Sequence, residues 1–94
     1  MHETDPAKVE VVREQLAAEV PGRTIAVEDH GAAGVKYFLS REGGEEQRVR
    51  VSREWLEDRE NTALSAAVLF EVHRGNSLLV RHDGSIEAET YPLG

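Results

Sequence analysis

Apolar residues recur along this chain with two different periods. From Val9 to Val20 the spacing is helical: Val9, Val12, Leu16 and Val20 share one face with Val11 flanking, while Glu10, Arg13, Glu14 and Glu19 fall toward water. Asp5 suits an N-cap and Pro6 the first helical position, whose N–H has no helical partner anyway. Pro21-Gly22 ends the run.

After Arg23 the period drops to two. Thr24 to Asp29 predicts a strand with Ile25 and Val27 on one face, followed by a glycine-bounded loop from His30 to Gly34. Val35, Tyr37, Leu39, Val49 and Val51 then alternate with Lys36, Phe38, Arg48 and Arg50. A three-residue turn at Glu42-Gly43-Gly44, with glycine in the left-handed position, pairs Leu39 with Gln47, Tyr37 with Val49 and Val35 with Val51. It sets Phe38 opposite Arg48 and Lys36 opposite Arg50. A two-residue turn would mix the faces, and register follows burial.

Ser52 predicts a helix cap, with Glu54 in the first turn and Val51 and Leu56 at the positions of a hydrophobic staple. Trp55 is expected to pack inward beside Leu56, with a helix end or kink near Asn61. Thr62 to Arg74 carries both patterns. Val68, Phe70 and Val72 alternate as in a strand, but alanines at 63, 66 and 67, His73 and Arg74 in the last turn and Gly75 as a stop favour a helix. Ser77 to His82, Asp83-Gly84 and Ser85 to Thr90 predict a hairpin with a type I′ turn, and residues 91–94 a tail. The expected fold is α+β: one domain over residues 1–94, a mostly antiparallel sheet with helices on one face, in the order α-β-β-β-α-β-β.

Charge adds one asymmetry. The formal net charge is −7, yet residues 23–53 carry six basic and five acidic groups. The helical segments are acidic and the central hairpin is slightly basic. Arginine outnumbers lysine nine to two, a mark of codon usage rather than mechanism. Lys36, Phe38, Arg48 and Arg50 therefore form a basic strip with one aromatic, the candidate interaction surface of this sequence. It suits a protein partner or a second copy of the chain; against the overall negative field, nucleic acid is the weaker candidate. The competing view is a solvated sheet face on which arginine stems cover one phenylalanine.

Other chemistry finds little support. With no cysteine there is no disulfide, thiolate nucleophile or cysteine metal site. His30, His73 and His82 lack metal-ligand spacing and are expected as separate surface residues, and His2 lies near the terminus. The Gly31–Gly34 loop joins two strands instead of opening a helix, unlike a phosphate-binding loop. None of Ser40, Ser52, Ser65, Ser77 and Ser85 sits in a nucleophile elbow. Glu45 and Glu46, as strand neighbours, would point to opposite faces. No catalytic residue, metal ligand or cofactor is assigned. No segment reads as a signal peptide or membrane helix, and a cytoplasmic location is expected.

In outline, the α-β-β-β-α order resembles a double-stranded-RNA-binding domain. That family places a lysine cluster at the start of its second helix, whereas Ser52-Arg53-Glu54-Trp55-Leu56-Glu57-Asp58 is predominantly acidic. The resemblance therefore carries no RNA-binding residues across. Size and layout also resemble many small bacterial proteins. The leading expectation is a non-enzymatic interaction module, self-associating or bound to a protein partner. The alternatives are an RNA or anion binder using the basic strip, and an enzyme subunit whose site is completed across a dimer.

Overall fold

The computed structural model describes residues 6–41, 44 and 46–88. Helix α1 (Pro6–Glu19) leads into strands β1 (Thr24–Asp29), β2 (Val35–Ser40) and β3 (Gln47–Val51). Two short helices follow, α2 (Arg53–Glu57) and α3 (Ala66–His73), then strands β4 (Leu78–Val80) and β5 (Ile86–Ala88). The order is thus α-β-β-β-α-α-β-β. What the sequence suggests as one helical region broken near Asn61 is two separate helices, joined through Asp58 to Ser65.

The five strands form one sheet in chain order, β1-β2-β3-β4-β5. All neighbours are antiparallel except β3 and β4, which run parallel. Parallel neighbours need a crossover, and α2 and α3 supply it. The β2–β3 register is the expected one: Val35↔Val51, Lys36↔Arg50, Tyr37↔Val49, Phe38↔Arg48, Leu39↔Gln47. Its turn includes residues 42, 43 and 45, which lie outside the described residues, as does the proposed Asp5 cap.

The core sits between the odd-numbered face of the central strands and the helices. Val12, Leu16 and Val20 of the α1 region, Val35, Tyr37, Leu39, Val49 and Val51 of the hairpin, Trp55 and Leu56 of α2 and Val68 and Val72 of α3 are all buried there. Tyr37 keeps its hydroxyl satisfied by donating to the carbonyl of Val9 at 2.9 Å. Burial pushes its phenol well above the usual range, so the ring stays neutral.

The helix starts follow their caps. Ser52 Oγ accepts from Trp55 N–H, and Ser65 Oγ accepts from Val68 N–H. Ser65 decides the ambiguous segment: Thr62 to Ser65 is connection, and Ala66 to His73 is helix. Val68 and Val72, one turn apart, are buried, while Phe70 between them points away and is 57% exposed.

The last hairpin departs from expectation in its turn. Arg81 N–H donates to Ser85 O and Gly84 N–H to Arg81 O, leaving the loop His82-Asp83-Gly84. Gly84 has φ +86, whereas no described residue other than glycine has positive φ. A type I′ turn needs two such residues in succession, so the turn is the three-residue kind, with glycine alone in the left-handed position. The two strands are also shorter than the sequence suggests, and residues 89 and 90 lie outside the described residues.

Candidate interaction surface

The sheet face opposite the described helices carries the even-numbered residues of β1, β2 and β3 and the odd-numbered residues of β4 and β5. Alternation along each strand and the pairing between strands fix what it presents. One row runs Glu28, Lys36, Arg50, Leu79, Glu87 across all five strands. The adjacent row runs Ala26, Phe38, Arg48. It ends at Ser77, whose hydroxyl accepts from the backbone N–H of Arg48 at 3.0 Å.

The four residues singled out from the sequence are thus brought together at the centre of this face, and all four are half-buried. Lys36 Nζ lies 5.8 Å from the centre of the Phe38 ring and the Arg48 guanidinium 5.7 Å from it. Both are within cation–π range. The ring is wedged between two cationic stems instead of standing proud. Arg48 also faces Glu46 at 3.4 Å, a partly exposed pair of little energetic weight.

Three further features of this face follow only from the assembled sheet. Glu28 and Glu87 place a carboxylate at each end of the cationic row, and Leu79 adds a half-buried apolar side chain beside Arg50. Glu87 pairs with Arg81 at 3.8 Å. The surface is a cationic centre bounded by acids.

The remaining candidates separate. His30 lies 3.0 Å from Glu28, and His73 lies 3.6 Å from Glu19. Among the described residues no group of three or more histidines and carboxylates could hold a metal ion. Ser52 and Ser65 are caps, Ser77 accepts from Arg48, and Ser85 donates to Asp83 at 2.6 Å.

The Gly31–Gly34 loop folds into a single 3-10 turn that uses its own amides. Gly31 N–H donates to Asp29 Oδ1, Ala33 N–H to His30 O and Gly34 N–H to Gly31 O. Arg53 clamps this turn by donating to Gly31 O at 2.8 Å and pairing with Asp29. The bond from Gly31 N–H, then the charge of Arg53, holds the Asp29 carboxyl below the usual aspartate range. A cleft of about 800 Å³ lies beside the turn, lined by Gly31, Ala32, Arg53, Glu54, Glu57 and Asp58. Three carboxylates against one guanidinium make it a poor seat for phosphate.

No helix among the described residues is long and apolar enough to cross a membrane. Comparison with protein-family models, with curated proteins and with solved structures finds no match.

Proposed function

We propose that this chain is a non-enzymatic docking module whose sheet face opposite the helices receives an acidic protein segment. One observation carries the reading. In a chain of net charge −7, Lys36, Arg48 and Arg50 are gathered around Phe38 on the sheet face that no described helix covers.

Half-buried arginine and aromatic side chains on a rigid sheet are the residue types that anchor protein interfaces. The acidic ends of the row, Glu28 and Glu87, disfavour a continuous phosphate backbone, which would have to cross them. A short acidic segment centred on Arg48 and Arg50 meets no such barrier. Leu79 and Phe38 offer it apolar contact on either side. Catalysis is set aside because Ser52 and Ser65 serve as helix caps, Ser77 as a backbone partner of Arg48 and Ser85 as a turn contact.

The test compares tagged wild type with Arg48→Glu/Arg50→Glu and with Phe38→Ala in co-purification from native lysate, after nuclease treatment. Proteins held by wild type, released by high salt and lost from both variants, with folding retained by circular dichroism, support the reading. Retention of the same proteins by both variants, or loss of all of them on nuclease treatment, overturns it.

A further inference from the structure

We propose that two copies of this chain join through β1, edge to edge and antiparallel, into one continuous sheet. This inference concerns the edge of the sheet and stands apart from the docking role of its face.

The ladder dictates which groups are available. His30 N–H donates to Gly34 O at 2.8 Å, so residue 30 points its backbone at β2. Direction alternates along an antiparallel strand. Thr24, Ala26 and Glu28 therefore turn their N–H and C=O groups toward β2, and Ile25, Val27 and Asp29 turn theirs away from the sheet. Among the described residues no strand lies beyond β1. The edge carries no proline, and no β-bulge interrupts its register with β2. Val27 is 39% exposed on it. A six-residue edge free of proline and bulge, with its charges confined to Glu28 and Asp29 at one end, is a template for another strand.

The sequence of β1 is complementary to itself in one register. A two-fold axis through Ala26, perpendicular to the sheet, sets Ile25 opposite Val27 of the second copy and Val27 opposite Ile25. Each of those pairs is reciprocally hydrogen-bonded, because both residues direct their backbone outward. Thr24 then faces Glu28, and Arg23 at the strand entrance faces Asp29. The β-branched pairs meet at the centre, and no like charges stand opposite one another. Sliding one strand by two residues moves the axis to Val27 and sets Ile25 against Asp29 and Ala26 against Glu28, while sliding it by four, with the axis through Glu28, sets Glu28 against Glu28; both abandon the Ile25–Val27 pairs. The two-fold pairing also puts both copies' Lys36-Phe38-Arg48-Arg50 surfaces on the same side of the joined sheet, a closed and isologous arrangement.

Sedimentation equilibrium of the full chain from micromolar to millimolar concentration tests this, together with amide hydrogen exchange. Wild type should pass from 10.4 kDa to twice that mass. The Ile25 and Val27 amides should gain protection with concentration, while those of Ala26 and Glu28 stay constant. Val27→Pro removes an N–H that the monomer does not use, and should weaken association about ten- to hundredfold. Val27→Lys, which leaves the backbone intact, should weaken it as well. Phe38→Ala should leave it unchanged, which separates this proposal from the docking reading. A mass that stays at 10.4 kDa throughout overturns the proposal, as does a dimer that survives both Val27 variants or one that Phe38→Ala abolishes.

Discussion

The side-chain amide of Gln47 donates to the carbonyl of Val72 at 2.9 Å, joining the first residue of β3 to the last turn of α3. The same nitrogen donates to Asn76 O at 2.7 Å, and Gln47 Oε1 accepts from Arg23. Gln47 is only 4% exposed, and its amide ties the Val72 carbonyl, which also accepts from Gly75 N–H, and the Asn76 carbonyl to β3. It also explains why a polar residue stands opposite Leu39 on the core face.

Replacement of Gln47 should therefore destabilise through what it leaves behind. Gln47→Leu keeps the volume but removes both donors, and is expected to cost about 1–3 kcal/mol in urea unfolding at pH 7. Gln47→Glu should cost more, because a carboxylate would face two carbonyl oxygens with only Arg23 to offset it. A Gln47→Leu protein as stable as wild type would show that water replaces the amide.

Gly34 holds the entrance to β2 against β3. It adopts φ +102, and a Cβ there would lie 2.0 Å from the carbonyl oxygen of Val51. That oxygen is backbone and cannot swing aside. Gly34→Ala should lower stability by about 2 kcal/mol or more, combining a left-handed penalty with a steric clash. Gly31→Ala serves as the control: nothing lies within 4 Å of its added Cβ, so only the backbone penalty at φ +64 applies. Thermal unfolding should rank Gly34→Ala well below Gly31→Ala.

The two serine caps should act alike despite their different surroundings. Ser65→Ala and Ser52→Ala each free one helix N–H, those of Val68 and Trp55, and each is expected to cost about 1 kcal/mol. Glu54 should feel the second change in particular. Its carboxyl sits below the usual glutamate range, held by a bond to its own backbone N–H and then by Ser52 Oγ. Ser52→Ala should raise the Glu54 pKa toward its ordinary value, as read by carboxyl NMR titration.

Stability should fall on the acid side. The carboxyls of Asp29, Asp83, Glu54 and Glu10 are all held below their ordinary values. The leading causes are Gly31 N–H, Ser85 Oγ, the Glu54 backbone N–H and Arg13 respectively. A folded-state pKa below the unfolded one stabilises the protein at pH above the unfolded value, and the benefit is lost as pH falls through the folded value. Stability should thus be level from neutrality to about pH 5 and decline below about pH 4. Asp29→Asn should make that decline shallower. Unfolding free energy measured across pH 2–7 for both proteins checks the sign.

The basic surface was legible in the sequence because it depends on local rules. A period of two puts Lys36 and Phe38 on one face of β2 and Arg48 and Arg50 on one face of β3. Burial of Tyr37 and Val49 then fixes the register that brings the two faces together. Its acidic ends and Leu79 were not legible, because they come from strands that reach it only through the order of the sheet. The outward half of the β1 ladder was hidden for the same reason: alternation separates faces, while edge position depends on what lies beyond. Phe70 was within reach, since the turn-long spacing of Val68 and Val72 sets it on the opposite side of a helix.

By itself, the sequence determined helix α1 (Pro6–Glu19), the β2–β3 pairing and the cap at Ser52. Each is a contest between near neighbours, in which periodicity, a turn or a single hydroxyl decides. Tertiary structure decided the parallel joining of β4 to β3 and the burial of Gln47. These depend on which distant surfaces exclude water together, and on which carbonyls near the end of α3 come within reach of the Gln47 amide. Hydrophobic burial has no direction of its own. The pattern could say which faces must be covered, and only the packed chain could say by what.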